Sequence, residues 1–527
     1  MPITILYWSL AALPIVIVLG LMIGLRWGAS QAGPVGWVFA LVVAAIFYGA
    51  GPRLLFYSQV KGLLLSLFVL YIIWFALALY HVVAEANVLE VLSAGVSRLT
   101  ADRTMQLLVL SWVFASFLQG VTGFGVPIAV VAPLLIGLGF PAVKSVVATS
   151  VGHSWAVTFG SVASSFTAMM AVTNLEGETL APWSAILLGV ACIPCGLIPA
   201  YLYQGWSSLL HSLPAVLGTG ITMAVVQYLM ATNGLWNLAS FIAGLVGLLV
   251  FAALVRLPMY QKAREEERER RHPPDAAAEE DGQPTNLLVA LSAYLVLLVL
   301  IVIAQLVPPF PTILNRIKIG MQFPETTTAL GWTNPPGTYR TISVFGHAGA
   351  ILVYTCIIAY LIYRSRGLYE PNALRRIATS TVQGSVRSTI GILFLVGMAL
   401  VMSDSGMTFV LAQGISHVVG QAFPFIAPFV GAIGAFMTGS NTNSNVLFAR
   451  LQQSTAETLG VSALIILGAQ NVGGAIGSMF APAKVVVGCS TAGLADEEGR
   501  VLKRNLLYGS VILVLIGLLT GGLVMLL

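Results

Sequence analysis

The sequence predicts an all-α polytopic membrane protein with about 12–14 transmembrane helices in two repeats. Three observations support this fold class. The chain of 527 residues is 57% hydrophobic and only 9% charged, with a mean hydropathy of +0.91, which is outside the range of globular proteins. It contains about a dozen apolar runs near the roughly 20 residues that a membrane span needs. Two polar, glycine-containing interruptions fall at corresponding places in its two halves.

The formal net charge of +5 is small for this length and is carried by loops, so it bears on membrane topology rather than on nucleic-acid binding. No basic patch interleaved with aromatic residues is present, so no nucleic-acid partner is expected. Cys192 and Cys195 form a C-x-x-C pair inside an apolar run that offers no further metal ligands. We interpret them as packing residues and expect neither a metal nor a cofactor.

The N-terminal membrane half is expected to cover residues 1–257. Its first run lacks a basic leader and a small-residue cleavage site, so we expect it to be retained as a helix. Residues 85–103 are mixed in character and are expected to lie at the membrane interface. The apolar runs of this half are Ile3–Leu25, Pro34–Ala50, Leu63–Ala84, Met105–Gln119, Pro141–Met170, Pro182–Tyr203, Ala215–Met230 and Trp236–Leu257.

A charged linker at residues 258–285 separates this half from a C-terminal half at residues 286–527. The linker and the arginine-rich loop 364–385 are both expected to be cytoplasmic because Lys and Arg concentrate on that side. Two spans separate them, so residues 308–340 should be external. The apolar runs of this half are Leu287–Val307, Ile342–Tyr363, Thr389–Val401, Phe409–Ala422, Phe425–Met437, Val461–Gly477 and Leu506–Leu527.

Two interruptions of the apolar runs mark the expected site. The first is Gly120-Val-Thr-Gly-Phe-Gly125, after which Pro127 is well placed to begin a new helix. The second is Gly439-Ser-Asn-Thr-Asn-Ser-Asn445, and we expect the next helix to begin at Val446. Irregular backbone is tolerated at membrane depth only against protein or a water-filled cavity. Each interruption therefore predicts the tip of a re-entrant hairpin.

The chain aligns with itself across these interruptions. Residues Ser66–Gly120 match Ser385–Gly439 without a gap and with ten identities. The match resumes beyond the breaks and defines repeats at about 66–164 and 385–480. Paired glycine-interrupted segments in two halves indicate a secondary transporter with its site at the repeat interface. The repeats could be inverted or parallel, and we favour inverted repeats because tips from opposite faces can meet at the midplane.

The tips favour binding of a small anion. Helices that restart after a break present free N–H groups and the positive end of the helix dipole, while unwound carbonyl oxygens could hold a cation. The alternative is that these residues only cap helices in ordinary loops. The expected substrate-binding residues are Gly120, Thr122, Gly123, Gly125, Gly439, Ser440, Asn441, Thr442, Asn443, Ser444 and Asn445.

Several motifs resemble the L-lactate permease family over nearly the whole length. They are Phe117-Leu-Gln-Gly-Val-Thr-Gly-Phe-Gly-Val-Pro-Ile-Ala, Pro133-Leu-Leu-Ile-Gly-Leu-Gly-Phe-Pro141, Thr438-Gly-Ser-Asn-Thr-Asn-Ser-Asn-Val-Leu-Phe-Ala449 and Gly473-Gly-Ala-Ile-Gly with Ala481-Pro482. The resemblance implies uptake of lactate and glycolate with protons across the bacterial inner membrane. It also implies kinship with a wider ion-transporter superfamily, whose dicarboxylate members use Ser-Asn-Thr tips and an elevator-type motion in dimers. A homodimer is therefore possible.

This chain departs from the family pattern at residues that bear on coupling. Gln119 and Asn441 replace a typical Glu and Asp, so proton coupling cannot simply be carried over and Na⁺ remains an alternative. Moving one negative charge inward costs about 2.3 kcal/mol per 100 mV, which a co-transported cation would offset. The candidate coupling or counter-ion residues are Gln119, His153, Asp404, Arg387, Asn471 and Lys484. Among them, His153 has a side chain of the type that titrates near neutral pH.

Other functional classes fit less well. The six histidines are scattered, and neither H-E-x-x-H nor a Walker phosphate-binding motif is present, which argues against a membrane enzyme or an ATP-driven pump. An anion channel shares the broken helices and stays an alternative. The sequence thus predicts a secondary carrier of small monocarboxylates, cation-coupled and working by alternating access.

Overall fold

The structure is a computed structural model that describes residues 2–25, 27–97, 99–123, 125–260, 287–494 and 497–526. Most of the predicted linker at 258–285 and Phe124 of the first interruption lie outside these residues. Within the described part, twelve helices are long and apolar enough to cross a membrane. This number agrees with the predicted 12–14 spans and confirms the all-α polytopic fold class.

In the N-terminal half, all secondary-structure elements of the described residues are helices. They are α1 (Ile5–Gly24), α2 (Ala29–Ile46), α3 (Pro52–Glu85), α4 (Val88–Ser97), α5 (Arg103–Val121), α6 (Val126–Gly137), α7 (Ala142–Ser154), α8 (Gly160–Thr173), α9 (Gly177–Gln204), α10 (Trp206–Thr232) and α11 (Trp236–Leu254). Helix α5 contains a π-helical turn at Val109–Phe114 and is buried along its whole length. Such turns are frequent at functional sites.

The C-terminal half adds a small β segment to its helices. Its helices are α12 (Leu287–Leu306), α13 (Phe310–Leu314), α14 (Ala348–Ser365), α15 (Ala373–Asp404), α16 (Met407–Val419), α17 (Phe423–Thr438), α18 (Asn441–Leu459), α19 (Ala463–Gly477), α20 (Pro482–Thr491) and α21 (Glu498–Leu526). Its strands are β1 (Lys318–Phe323), β2 (Thr326–Thr327), β3 (Thr333–Asn334) and β4 (Gly337–Ser343). β1 pairs antiparallel with β4, and β2 with β3.

The β segment lies where the sequence predicted an external loop. Asn334 Nδ2 donates to the carbonyl of Asp404 at 2.8 Å, and the ring of Trp332 lies 5.3 Å from that of Phe409. These contacts fix the segment on the end of α15 and the start of α16. The strands were not predicted, although Ile319, Met321 and Phe323 alternate with polar residues or glycine in β1, the pattern typical of a half-buried strand.

Helices α3 and α15 form a long antiparallel pair. At one end Lys61 Nζ lies 3.0 Å from Asp404 Oδ2, and at the other end Arg376 Nε donates to Glu85 Oε1 at 2.7 Å. Trp74 joins the two helices between these ion pairs by donating to Thr389 Oγ1 at 2.8 Å. The two helices are equivalent in the repeat alignment, so their antiparallel packing indicates that the repeats cross the membrane in opposite directions.

Each repeat contributes a helical hairpin followed by a second broken helix. The hairpins are α5–α6 and α17–α18, and the broken helices are α7–α8 and α19–α20. The prediction of one continuous span at Pro141–Met170 was therefore wrong. The expected helix start at Val446 was also wrong, because α18 begins five residues earlier, at Asn441. The side chain of Ser440 accepts a hydrogen bond from Asn443 N and caps this helix, which lets Asn441–Asn445 form its first turns.

Candidate functional site

The first hairpin tip is held open by two glycines with positive φ. Gly123 has φ +64° and Gly125 has φ +89°, and α6 then begins with Pro127 in its first turn. Thr122 is buried, and its hydroxyl donates to Leu118 O at 2.7 Å within the preceding helix. Val126 N donates to Gly123 O at 2.9 Å. Two side-chain and backbone donors of the tip, the Thr122 hydroxyl and Val126 N, are therefore used within the hairpin.

The second broken helix passes beside this tip. After α7 ends, residues Ser161, Val162 and Ala163 all adopt positive φ of 49–57°. This conformation costs roughly 1–2 kcal/mol per residue for side chains other than glycine, and such outliers cluster at functional sites. A Cβ on Gly123 would lie 1.7 Å from Ser161 Oγ. Only glycine at position 123 lets the tip approach the strained segment.

The second hairpin tip is formed by the end of α17 and the start of α18. Gly439 ends α17 with φ +74°, and Ser440 is extended. The first intrahelical hydrogen bond of α18 runs from Ser444 N to Ser440 O at 3.0 Å. The N–H groups of Asn441 and Thr442 precede that bond, so they are available to an anion at the positive end of the helix dipole.

Side chains of the second tip reach the same strained segment. Asn441 Nδ2 donates to Thr158 Oγ1 at 3.0 Å, and Thr442 Oγ1 lies 3.1 Å from Ser165 Oγ. Asn445 Nδ2 donates to Ser165 O at 2.9 Å. Residues 158–165 therefore contact both tips, and the two interruptions come together inside the protein.

Behind the second tip lies a buried network of amides. Asn445 Nδ2 donates to Asn471 Oδ1 at 2.9 Å, and Asn471 Nδ2 donates to Ser184 Oγ at 2.9 Å. Gln470 Nε2 donates to Ser444 Oγ at 3.1 Å, and Gln452 Nε2 donates to Gln470 Oε1 at 2.5 Å. This network fixes the orientation of Ser444, Asn445 and Asn471.

A lysine lies in the first turn of α20. The chain between α19 and α20 forms a 3₁₀ turn at Ser478–Phe480, and Ala481 is extended. Lys484 follows in the first turn of α20 and is 9% exposed. A Cβ on Gly439 would lie 3.7 Å from Ala483 Cβ, so this helix start abuts the second tip. The ammonium of Lys484 has no hydrogen-bond or ion-pair partner among the residues that the structure describes.

His153 lies at the end of α7, and α7 contacts both the 3₁₀ turn at Ser478–Phe480 and α20. Its Nδ1 contacts the carbonyl of Thr149, so the hydrogen-bonding pattern assigns the proton to Nδ1 and leaves Nε2 free to gain one. The ring is 1% exposed. The structure thus brings His153 and Lys484 to the same region as the second tip.

Buried amide oxygens at the tips have no hydrogen-bond donor. They belong to Gln119 (Oε1), Asn441 (Oδ1) and Asn443 (Oδ1), within the described part of the chain. Gln119 is packed under Gly160, whose Cβ would lie 2.6 Å from Gln119 O. Each oxygen can accept a hydrogen bond from a hydroxyl or contact a cation.

Three of the predicted residues lie away from this convergence. Gly120 is a helix-packing glycine, because a Cβ there would lie 2.5 Å from the backbone of Phe241. Asp404 is bound by Lys61 and by Ser58 Oγ, the latter at 2.9 Å. Arg387 is exposed on α15. Neither charged residue contacts a tip.

Sequence reasoning missed the strained segment itself. The predicted span Pro141–Met170 includes Thr158, Ser161 and Ser165. Its stretch Gly152-His-Ser-Trp-Ala-Val-Thr-Phe-Gly160-Ser161 is, however, rich in small and polar residues. That composition was the available signal of a break. Gln452 and Gln470 carried no motif that would have singled them out.

Comparisons with known proteins agree with this architecture. A family model described as L-lactate permease matches residues 9–527. The L-lactate permease of Salmonella typhimurium is 25% identical over 528 residues, covering 97% of this chain and 94% of the relative. The L-lactate permease of Escherichia coli is 24% identical over 525 residues, with the same coverages. The glycolate permease of Escherichia coli is 24% identical over 531 residues, covering 95% and 93%.

A solved structure shares the fold. The Alcanivorax borkumensis YdaH transporter, described as having an unusual topology, superposes with a TM-score of 0.53 at 16% sequence identity. The superposition covers 94% of this chain and 98% of that one.

Proposed function

Since the chain belongs to the L-lactate permease family, we propose that it is a cation-coupled secondary carrier of small monocarboxylates of the lactate and glycolate class. The relatives are permeases, so the chain is a transporter and not an enzyme. The observation that supports the proposed site best is the convergence of both hairpin tips on residues 158–165, with Lys484 beside the second tip.

The second tip and α20 supply the groups that a carboxylate needs. The free N–H groups at the start of α18 offer directed hydrogen bonds, and Lys484 offers a full positive charge. A 2-hydroxy acid carries a hydroxyl beside its carboxylate. That hydroxyl can donate to one of the unpartnered amide oxygens. Acetate lacks the hydroxyl, so the site would bind lactate or glycolate more tightly than acetate.

Coupling to a proton would run through His153. Among the described residues, no carboxylate contacts a tip, and Asp404 is held by Lys61. His153 can gain a proton at Nε2 when a carboxylate is bound nearby and release it afterwards. The alternative is Na⁺, which oxygen ligands at Asn441, Asn443 or Gln119 would hold.

The substrate would cross by alternating access. The two hairpins and the two broken helices would move as one unit against the α3–α15 pair, which the two ion pairs hold as a rigid scaffold. The protein would lie in the cell membrane, with the linker 258–285 and the loop 364–385 on the cytoplasmic side. A homodimer is part of this proposal.

Uptake into proteoliposomes tests the proposal. Labelled lactate should accumulate when an inward pH gradient or an inward Na⁺ gradient is imposed, and short 2-hydroxy acids should compete. No stimulation by either gradient would remove the symport claim, and no competition by 2-hydroxy acids would remove the substrate claim. Counter-exchange of internal unlabelled lactate for external label distinguishes a carrier from an anion channel, because a continuous pore does not couple the two fluxes.

A further inference from the structure

A crevice runs along the α3–α15 pair towards the first hairpin tip. Its inner part is a cavity of about 460 Å³ that reaches Gly125, Val126 and Val487. Its outer part is a second cavity beside the Glu85–Arg376 ion pair. Both cavities are lined by His81 and Ser380, so they adjoin one another.

The outer end of this crevice is the arginine-rich end of α15. Arg364, Arg366 and Arg375 lie in or beside the loop that leads into this helix, and the bias of basic residues assigns that end to the cytoplasm. The inner end lies one helical turn from Lys484, because Val487 follows that lysine at i+3 on α20. The crevice therefore connects the cytoplasmic surface with the proposed substrate site.

One face of α15 gives the crevice a polar wall. The inner cavity is lined by Ser380, Gln383, Gly384 and Ser388 of that helix. At 100° per residue, Arg387 falls within the arc that these four residues span. Val382 and Val386 lie outside it, and both are exposed on the remaining surface of the helix.

Arg387 is placed deep for an unpaired charge. It lies about three helical turns, roughly 16 Å, beyond Arg376 along α15, which is too far for its side chain to reach the end of the helix. It is exposed and has no ion-pair or hydrogen-bond partner within the described residues. A charge at that depth is tolerated where it faces water or a ligand rather than lipid.

The repeat relationship shows that this polarity is specific to one helix. In the repeat alignment Arg387 and Ser388 correspond to Phe68 and Val69 of α3. Both of these equivalent residues are apolar. Fold symmetry alone does not require the polar stripe on α15.

Taking the proposed function as its premise, we propose that this crevice is the cytoplasmic access route for the carboxylate and that Arg387 contacts the anion within it. The guanidinium would form a charge-assisted pair with the carboxylate on its way to or from Lys484. Arg387 is then a second anion-contacting residue, located on the scaffold rather than on the hairpin unit.

Cysteine labelling tests the crevice without reference to the substrate. Gln383→Cys and Ser388→Cys in the full-length chain should react with a membrane-impermeant methanethiosulfonate in inside-out vesicles and fail to react in right-side-out vesicles. Val386→Cys, at the same depth outside the polar arc, should react in neither, because a thiol in lipid does not ionise. The unsubstituted protein reports background from its four native cysteines. Equal labelling of all three variants, or of none, would overturn the crevice.

Transport kinetics test Arg387. In inside-out vesicles Arg387→Gln should raise the KM for lactate about tenfold or more, as expected for loss of a charged hydrogen bond, whereas Arg387→Lys should change it less than about threefold. In right-side-out vesicles, where lactate enters from the other face, the KM should be unchanged. Arg375→Gln, which removes an exposed arginine outside the crevice, is the matched control. An unchanged KM in inside-out vesicles, or an equal rise in both orientations, would overturn the role of Arg387.

The two experiments separate the inference from its premise. If the wild-type protein fails to transport lactate while the labelling pattern appears as expected, the proposed substrate is wrong and the crevice stands. If lactate is transported but Gln383→Cys and Ser388→Cys are inaccessible from the cytoplasmic side, the proposed function stands and the access route is wrong.

Discussion

Replacing Lys484 by methionine tests the proposed site most directly. Methionine keeps an unbranched stem of similar length and removes only the charge. Lys484 is 9% exposed and lacks a partner in the described part of the chain, so the protein itself does not compensate its ammonium. If the carboxylate of lactate pairs with this ammonium, the variant loses affinity for lactate. It does not lose a contact that holds the fold together.

The substitution should weaken lactate binding without lowering the stability of the ligand-free protein. A hydrogen bond between charged groups contributes about 1.5–3 kcal/mol, so Lys484→Met should weaken lactate binding by about 10- to 150-fold. An unpaired buried charge destabilises the folded protein, so the melting temperature without lactate should stay the same or rise. A lysine with a structural role would produce the reverse pattern, with a lower melting temperature and an unchanged affinity.

Thermal unfolding of the purified variant over a lactate titration measures both quantities in one series, because ligand binding raises the melting temperature by mass action. Lys144→Met is the matched control. That lysine donates to Tyr203 O at 2.8 Å at the other end of α7, so its loss should lower stability slightly and leave lactate affinity unchanged. A Lys484→Met protein that binds lactate as tightly as the wild type would refute the proposed anion contact.

Three further substitutions separate the roles of tip, histidine and scaffold. Gly123→Ala should abolish uptake and lower the melting temperature, because its Cβ would lie 1.7 Å from Ser161 Oγ. Gly205→Ala is the control and should remain active, because Gly205 also has a positive φ of +72° but its Cβ would have no atom within 4 Å. His153→Gln should retain lactate binding while uptake loses its stimulation by a pH gradient, and persistent stimulation would exclude this histidine as the proton carrier. Asp404→Asn should cost about 1–3 kcal/mol of stability by leaving Lys61 unpaired, which thermal unfolding measures. Uptake by the same preparation should still be stimulated by a pH gradient.

The fold class, the two interruptions and their relationship could be predicted because they depend on strong local signals. A run of amides and small residues cannot lie in lipid without satisfied hydrogen bonds, and the repeat alignment places both runs in equivalent positions. The antiparallel contact between Lys61 and Asp404 could not be predicted, because it joins residues far apart in the chain. No local pattern reports such a partner.

The exact start of α18 could not be predicted for a different reason. Asn, Ser and Thr are frequent both in loops and in the first turn of a helix, so the composition of Asn441–Asn445 does not distinguish the two. The cap from Ser440 and the contacts with Thr158 and Ser165 decide in favour of the helix. The strained turn at Ser161 likewise depends on tertiary contacts, since serine, valine and alanine do not favour positive φ.

The two tips are related by the repeat but are chemically unequal, and this inequality assigns them different roles in the proposed mechanism. At the first tip, the hydroxyl of Thr122 and the N–H of Val126 are already bound within the hairpin, and Pro127 has no N–H. At the second tip, the first N–H groups of α18 are free and Lys484 is adjacent. The carboxylate should therefore bind against the second tip, while the first tip, with the unpartnered oxygen of Gln119, is left to accept the substrate hydroxyl or a cation. In the proposed mechanism an inverted repeat thus gives one oriented site, because Lys484 lies beside its second tip.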